Sequence, residues 1–376
     1  MTGQHKGLTT MISQSGPQRY ISDNEAYDQL PGFMADLKVK TVLFLHGQKS
    51  LAAAQPYLPA WPADVDVVDV PFGGECSYEE IARVRAIADE NDVDMVIGLG
   101  GGKVLDTAKS VTTGTHRYLV LIPTLASNCS PWSAISVHYK ESGEHVDHEI
   151  YLETANLMLL NPKVILNSPI EYFVAGIGDT LAKFYESELI FKQLPEDQYT
   201  VALTISQQMA NNCKDVLLKN AIGAVEDMKA GKLTPRWRQV AETVTVMAGT
   251  VGGWGDDYGR ASGAHAIHDA LTIFPETAPH LHGAKVAYGI LVLLAIEGQE
   301  DDIKDLLPFY RALGLPTNLA EVDLGHASEA DIEKVAEAAA DPSTQMHFVP
   351  TEKPVTAAVV REAIATVEQV SAKVAI

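Results

Sequence analysis

Short apolar runs alternate with stretches of helical periodicity over about the first 160 residues. Residues 41–45 (TVLFL) and 65–70 are rich in β-branched and apolar side chains, and an alanine-rich stretch of helical character separates them. Residues 78–89 then place apolar side chains on one helical face, and residues 93–99 (VDMVIGL) and 118–122 have the pattern of buried strands. This alternation with short links predicts a doubly wound parallel sheet with right-handed crossovers.

The pattern changes after Asn161-Pro162. Strand-like alternation becomes rare, and long helical patterns follow, such as those at residues 197–219 and 238–247. Pro169 is well placed to precede a helix start. We therefore predict two domains, a Rossmann-like α/β domain over residues 1–165 and an all-helical domain over residues 166–376. A chain of 376 residues is long enough for this, and a cleft between two domains is a common place for a small ligand.

Composition excludes several classes of function. No apolar run reaches the roughly 18 residues of a membrane span, and the first residues lack the apolar core of a signal peptide. We therefore expect a soluble, cytoplasmic protein that is not bound to membranes. The formal net charge of -21 repels phosphate backbones, so we do not expect a nucleic-acid partner. The three cysteines, Cys76, Cys129 and Cys213, form no C-x-x-C pair, and disulfides are not expected.

A glycine turn, Gly100-Gly101-Gly102-Lys103, follows the predicted strand at residues 93–99 and leads into a helix. Consecutive glycines let backbone N–H groups approach phosphate oxygens, and the helix dipole favours negative charge there. Lys103 would add a cation. By itself, this turn is equally compatible with a tight strand-to-helix connection that binds nothing.

Several segments in matching order resemble the glycerol dehydrogenase and iron-containing alcohol dehydrogenase superfamily. They are FGGECSYEE (72–80), GLGGGKVLDTAKS (98–110), PTLASNCSPWSAISVHY (123–139), AGIGDTLAKFYE (175–186), GAHAIHDALT (263–272) and HGAKVAYGILV (282–292). Within it the likeness is greatest to bacterial hydroxycarboxylate dehydrogenases, which reduce 2-oxo acids with NADPH. The resemblance implies a dehydroquinate synthase-like architecture, a dinucleotide-binding first domain, a metal-binding catalytic second domain and a homo-oligomer.

The resemblance also implies which residues hold the cofactor. It puts the pyrophosphate on the glycine turn, and it predicts that the following residues contact the dinucleotide: Gly101, Gly102, Lys103, Asp106, Thr124, Ser127, Ser133, Ile135 and Tyr139. Without the family, the serines of residues 123–139 would be read as turn caps.

The first strand bears on the choice between NAD and NADP. NAD-specific sites carry an acid after this strand, for the ribose 2′-hydroxyl. Here the strand leads into HGQKS, without an acid. Gly47 leaves room for a 2′-phosphate, and Lys49 and Ser50 are able to bind it, so we predict a preference for NADP(H), with NAD possible. The alternative is a plain solvated turn.

The same resemblance assigns Asp179, His265 and His282 as metal ligands. A carboxylate and two imidazoles suit Zn²⁺ and also fit Fe²⁺, and three protein ligands leave a position open for a substrate oxygen. Taken without the family, each histidine is more often a hydrogen-bond partner than a ligand, and His280 competes with His282. His268 is expected close by, where it relays a proton or orients the substrate.

A second histidine group, His138, His145 and His148, contains an H-x-x-H spacing. The intervening glycine and charges (ESGEHVDHE) predict a surface hairpin with exposed histidines. We therefore do not expect a metal site there.

Lys183 stands where iron-type members of the superfamily carry a further histidine, one helical turn after Asp179. An ammonium group does not ligate a cation, so this position favours a three-ligand, zinc-like site over iron. An ion pair of Lys183 with Asp179 or Glu186 is an equally good reading.

Cys129 marks the substrate class. Glycerol-oxidising members carry an aspartate at this position, which is implicated in polyol binding. A neutral thiol removes a hydroxyl acceptor and also removes repulsion toward an anion. We therefore expect a 2-oxo or 2-hydroxy acid whose carboxylate meets Lys183 or Arg260. A nucleophilic role for Cys129 is weakly supported, because the sequence marks no partner base.

The predicted function is hydride transfer between NAD(P)H and a small 2-oxo or 2-hydroxy acid, with His268, Lys183 and Cys129 as the catalytic or substrate-contacting groups. A glycerol or other polyol dehydrogenase is the alternative. A lyase of the dehydroquinate synthase type is less favoured, and a non-catalytic dinucleotide sensor least of all.

Overall fold

The computed structural model describes residues 11–374. Six strands form one parallel sheet in the order β1-β8-β5-β4-β2-β3, and β6 and β7 form a separate antiparallel hairpin. The strands are β1 (Tyr20–Ser22), β2 (Thr41–His46), β3 (Asp66–Pro71), β4 (Met95–Gly100), β5 (Tyr118–Pro123), β6 (Ile135–Tyr139), β7 (His145–Ile150) and β8 (Leu157–Leu160). The predicted parallel, doubly wound sheet is confirmed.

Helices cover both faces of this sheet, which is why its central strands are apolar on both sides. On β2, Val42 and Phe44 pack into one core layer, whereas Leu43 and Leu45 pack into the other. The helices of this half are α1 (Leu30–Asp36), α2 (Gln48–Ala54), α3 (Tyr78–Glu90), α4 (Gly102–Thr112) and α5 (Pro162–Leu166). Helices α1, α2 and α5 pack on the first layer, and α3 and α4 on the second.

The rest of the described chain, from Pro162 onward, contains no strand. Its α-helices are α6 (Ile170–Gln193), α7 (Val201–Lys229), α8 (Pro235–Glu242), α9 (Ala248–Gly255), α10 (Asp257–Arg260), α11 (Gly263–Leu271), α12 (His282–Ile296), α13 (Glu300–Leu313), α14 (Glu329–Ala339) and α15 (Ala357–Lys373). The predicted all-helical second half is confirmed. The domain limit at residues 165 and 166 stays a prediction and falls within α5. Among residues 11–374, no helix is long and apolar enough to cross a membrane.

Helices α6 and α12 lie against each other almost backbone to backbone. A Cβ atom on Gly283 would come within 1.9 Å of the Ala175 carbonyl oxygen, and one on Gly178 within 2.7 Å of the Gly283 carbonyl oxygen. Glycine is therefore required for this close approach. The contact brings Asp179 of α6 next to His282, the first residue of α12.

The hairpin of β6 and β7 reaches from the sheet toward the helical half. The backbone N–H of Tyr139 donates to the Cys76 carbonyl, and that of His145 to the Thr272 hydroxyl at 3.5 Å. The prediction of a hairpin is confirmed, but the prediction of exposed histidines is wrong for two of them. His138 is buried and its Nδ1 lies 2.8 Å from an Asp147 oxygen, and His145 is largely covered. The reason is that the hairpin folds over the helices, which local sequence does not show.

Candidate active site

Asp179, His265 and His282 converge from three helices, α6, α11 and α12. One ligand atom from each lies within 4.8 Å of the other two, and both imidazole Nε2 atoms are 3.4 Å from Asp179 Oδ1. Asp179 is 3% exposed, and its Oδ1 has no hydrogen-bond partner. A buried carboxylate oxygen without a partner is costly. Desolvation alone would raise the pKa of Asp179, but the two imidazoles hold it well below its ordinary value. The donor set and its geometry fit a divalent cation.

Glu186 orients the His265 ring from behind. Its Oε2 lies 2.8 Å from His265 Nδ1, and its Oε1 accepts from the backbone N–H groups of Ser262 at 2.7 Å and His265 at 3.0 Å. A carboxylate on Nδ1 favours the tautomer that leaves Nε2 free for a metal. Desolvation works against protonation of this ring, but Glu186 and Asp179 together raise the pKa of His265 to about 9. A cation at Nε2 therefore has to displace a proton.

Sequence reasoning named Glu186 only as a candidate partner of Lys183, and missed this role. A signal was present, because residues 179, 183 and 186 share one face of α6 at the spacing i, i+4, i+7. What the sequence could not show is that α11 packs against that face.

His268 lies beside the cluster, as predicted. Its ring centroid is 4.1 Å from that of His282, and its Nδ1 is 2.8 Å from Asp269 Oδ1. Desolvation is the main cause that lowers the pKa of His268 to about 3, and the neighbouring His282 adds to it. His280 lies elsewhere, with its Nε2 2.8 Å from Asp323 Oδ2. Of the two histidines that frame this loop, His282 is the one at the cluster.

An ion pair of Lys183 with Asp179 or Glu186 was one of the two roles expected from the sequence. The structure has no such ion pair among these three residues, all of which it describes. Lys183 Nζ donates to the backbone carbonyl of Arg260 at 2.6 Å. Cys129 lies near enough for the charges of Lys183 and Asp179 to act on its thiol, whose pKa is raised mainly by desolvation. The thiol is therefore neutral, which argues against a nucleophilic role.

The glycine turn has the shape expected of a phosphate site. Gly101 precedes the first residue of α4, and a Cβ atom on it would lie 2.8 Å from Leu125 Cδ1. A Cβ atom on Gly102 would lie 2.6 Å from Asn128 Nδ2. With no room for side chains, the backbone N–H groups at the start of α4 are the donors available to a phosphate.

Lys103 and Asp106, predicted to touch the dinucleotide, both have protein partners. Lys103 pairs with Glu75 and lies 5.5 Å from the centre of the Tyr139 ring. Asp106 is buried, 2.8 Å from Lys109 Nζ, and accepts from the Ser130 hydroxyl at 2.6 Å. Asp106 thus fixes the loop that follows β5. Its direct contact with a cofactor stays a prediction.

The other predicted cofactor residues lie on β6 and in the loop that joins β5 to β6. Thr124 is buried directly after β5 and donates to the Ser50 hydroxyl at 3.2 Å. Ser127 packs beside Gly176 of α6, and the Ser133 hydroxyl donates to the Cys129 carbonyl at 3.1 Å. Ile135 begins β6 and Tyr139 ends it.

Gly47 directly precedes α2, with Lys49 exposed and Ser50 half-buried. Sequence reasoning missed an acid on the neighbouring strand. Asp69 of β3 is 62% exposed and lies 3.1 Å from His46 Nε2. The segment HGQKS itself contains no acidic residue, but the folded protein places the Asp69 carboxylate next to it.

Comparison with known proteins places these features in a family. Residues 17–162 match the profile described as iron-containing alcohol dehydrogenase. The chain is 36% identical over 335 residues to hydroxycarboxylate dehydrogenase A of Escherichia coli (strain K12), covering 89% of this chain and 92% of that protein. It is 36% identical over 287 residues to a glycerol dehydrogenase of Thermotoga maritima, covering 76% of this chain and 77% of that protein. The structure of a probable glycerol dehydrogenase from Sinorhizobium meliloti 1021 superposes with a TM-score of 0.87 at 32% identity, covering 97% of this chain and 100% of that one.

Proposed function

Because the chain belongs to the iron-containing alcohol dehydrogenase family, we propose that it reduces a small 2-oxo acid to the 2-hydroxy acid with NADPH, and that it depends on a divalent metal. Its relatives are alcohol, glycerol and hydroxycarboxylate dehydrogenases, so the chain is an NAD(P)-dependent oxidoreductase acting on CH–OH groups.

We assign Asp179, His265 and His282 as the metal ligands, and favour Zn²⁺ over Fe²⁺ because Lys183 occupies the position of a fourth protein ligand. When bound, the ion supplies Lewis acidity toward the substrate oxygen and the cofactor supplies the hydride. Glu186 keeps His265 Nε2 turned toward Asp179. His268 donates from Nδ1 to Asp269, which leaves its Nε2 as a hydrogen-bond acceptor for the alcohol or for a water molecule at the substrate oxygen. In the direction of reduction, water supplies the proton.

One observation carries the substrate class. The neutral Cys129 thiol lies within range of the Lys183 charge, and Lys183, one helical turn from Asp179, is held by the Arg260 carbonyl at 2.6 Å from its Nζ. A thiol offers no strong acceptor for a polyol hydroxyl, and a nearby ammonium attracts an anion. Both features favour a carboxylate-bearing substrate. The 36% identity to a hydroxycarboxylate dehydrogenase supports the same class.

The preference for NADP(H) rests on Gly47, Lys49 and Ser50, which leave space and donors for a 2′-phosphate. The Asp69 carboxylate, 3.1 Å from His46 Nε2, opposes the charge of a 2′-phosphate. Michaelis constants for NADPH and NADH measure the balance. A clear preference for NADH would remove this part of the proposal.

A substrate panel tests the proposed function. We expect 2-oxobutyrate or 2-oxoglutarate to be reduced with a kcat/KM well above that for the oxidation of glycerol, and one NADPH to be consumed for each turnover. Zero net NADPH consumption during product formation would instead indicate a lyase of the dehydroquinate synthase type.

Glycerol or another polyol is the second candidate substrate. The likeness to a glycerol dehydrogenase of Thermotoga maritima and to a probable glycerol dehydrogenase of Sinorhizobium meliloti 1021 favours it. A kcat/KM for glycerol above that for every 2-oxo acid tested would establish it in place of the first.

A further inference from the structure

Arg260, the last residue of α10, carries a guanidinium group that its protein partners do not fully use. Its side chain is 11% exposed, and its Nε lies 3.3 Å from Asp256 Oδ1. Its Nη2 is buried and has no hydrogen-bond partner. Guanidinium nitrogens only donate, and leaving one buried without an acceptor is costly. An acceptor that binds transiently would explain why this arrangement is kept.

The backbone of Arg260 runs along the α6 face that carries the active-site side chains. Its carbonyl accepts the 2.6 Å hydrogen bond from Lys183. Two residues later, the N–H of Ser262 donates to Glu186, the carboxylate that orients His265. Arg260 is thus tied to the metal cluster through two consecutive turns of one helix.

Packing and charge together show where the Arg260 side chain lies. A Cβ atom on Gly252 would lie 3.2 Å from Arg260 Cγ, so α9 leaves space for the arginine stem by having a glycine there. The charge of Arg260 acts on Lys183 of α6 and on His148 of the hairpin. The guanidinium therefore lies within electrostatic range of the side chains around the metal cluster.

We propose that Arg260 binds the carboxylate of the substrate. This inference rests on the proposed 2-oxo acid reductase function and deepens it. A guanidinium edge matches a carboxylate in a two-pronged hydrogen bond, whereas an ammonium acts as a point charge. Lys183 is the other cation that the sequence suggested for this role. It donates to the Arg260 carbonyl, and its positive charge adds to the attraction for an anionic substrate. Asp256 contacts Nε of Arg260, which leaves the two Nη atoms as the donors for a carboxylate.

A matched substrate pair tests this. 2-Oxobutyrate and 1-hydroxybutan-2-one have the same length, but the second carries a neutral hydroxymethyl group in place of the carboxylate. Arg260→Gln should raise KM for 2-oxobutyrate by about 10- to 100-fold, the range expected for a lost charge-assisted hydrogen bond. It should change KM for the neutral ketone by less than about threefold. Arg361→Gln, which removes an arginine paired with Glu333 on the surface, is the control and should change neither constant.

Arg260→Lys is the second variant, for use if Arg260→Gln does not fold. It keeps the charge but loses the two-pronged geometry, so we expect a smaller rise in KM, about 3- to 10-fold, for the acid alone. Equal losses for the acid and the neutral ketone would show that Arg260 is only structural, and would overturn the inference.

Oxamate, a carboxylate analogue of a 2-oxo acid, gives a readout that needs no turnover. Titration calorimetry of oxamate into the protein with NADPH should show binding to wild type, weakened at least about tenfold in Arg260→Gln. If wild type reduces no 2-oxo acid, the proposed function fails, and the Arg260 inference is still decided by this titration. No oxamate binding to wild type, or equal binding to both proteins, would overturn it.

Discussion

Replacing Glu186 by glutamine tests how strongly the metal site depends on a residue that does not touch the metal. The substitution keeps the size of the side chain and removes its charge. Three hydrogen bonds end on this carboxylate, from Ser262 N, His265 N and His265 Nδ1. A glutamine oxygen can keep the two backbone bonds, but its amide group then presents N–H toward His265 Nδ1. Two donors would face each other, so the ring must turn or change tautomer.

The cost can be estimated from these contacts. Loss of a partner that orients a metal-bound histidine typically weakens metal binding by about 10- to 100-fold, or about 1.4 to 2.8 kcal/mol. Because Glu186 is only 4% exposed, one unsatisfied donor in its place also costs about 1 to 3 kcal/mol of folding stability. We therefore expect Glu186→Gln to fold, to unfold at a lower temperature, and to bind Zn²⁺ more weakly.

The assay is competition for Zn²⁺ against a chromophoric chelator, with thermal unfolding followed by circular dichroism on the metal-free protein. Glu333→Gln is the matched control, since that carboxylate pairs with Arg361 at the surface. The control should change neither quantity measurably. A Zn²⁺ affinity of Glu186→Gln within about threefold of wild type would refute the assigned role of Glu186.

Three further predictions concern packing, substrate and cofactor. Gly283→Ala should cost about 2 to 4 kcal/mol of stability and weaken metal binding, because its Cβ atom would meet the Ala175 carbonyl oxygen at 1.9 Å and force α6 from α12. Gly32→Ala, where a Cβ atom meets nothing within 4 Å, is the control in thermal unfolding and should be neutral or slightly stabilising. Cys129→Asp should lower kcat/KM for 2-oxobutyrate at least about tenfold and raise kcat/KM for glycerol, because a carboxylate repels an anionic substrate. Cys129→Ser should retain the preference for the acid. A rise in kcat/KM for 2-oxobutyrate in Cys129→Asp would contradict the role assigned to Cys129. Lys285 of α12 donates from Nζ to the Thr277 carbonyl at 3.4 Å, and its charge interacts with that of Lys103 at the glycine turn. Desolvation, then the charge of Lys103, lowers the pKa of Lys285 to about 8, so this lysine is cationic below that pH and loses its charge above it. NADPH affinity, measured by fluorescence titration, should therefore fall as pH rises through about 8 in wild type, and Lys285→Met should flatten that dependence; an unchanged profile would separate Lys285 from the cofactor.

The sheet could be predicted from the sequence because its signal is local. Residues 41–45 and 93–99 are mostly apolar, with Thr41 and Asp94 as the polar exceptions, which suits strands buried on both faces. Each is followed by turn residues. The predicted strand at 93–99 corresponds to β4, Met95–Gly100. The convergence of Asp179, His265 and His282 came from motif order and not from spacing, since no periodicity joins residue 179 to residue 265.

What the sequence did not show depends on packing between distant segments. Glu186 lies 79 residues before its partner His265, and Arg260 lies 77 residues after its partner Lys183. His145 was expected on an exposed hairpin, yet it lies 3.6 Å from Asp269 because the hairpin covers α11. Charge and hydrogen-bond partners of this kind are set by tertiary contacts, which no local pattern encodes.

The metal and substrate assignments are tested together by NADPH oxidation with 2-oxobutyrate. The wild-type protein is first stripped with a chelator and then supplied with Zn²⁺. We expect activity to disappear on stripping and to return with Zn²⁺, because Asp179, His265 and His282 provide the only group of this kind among residues 11–374. Full activity of the stripped protein would contradict the metal assignment. Zn²⁺-restored oxidation of glycerol without reduction of 2-oxobutyrate would contradict the proposed substrate.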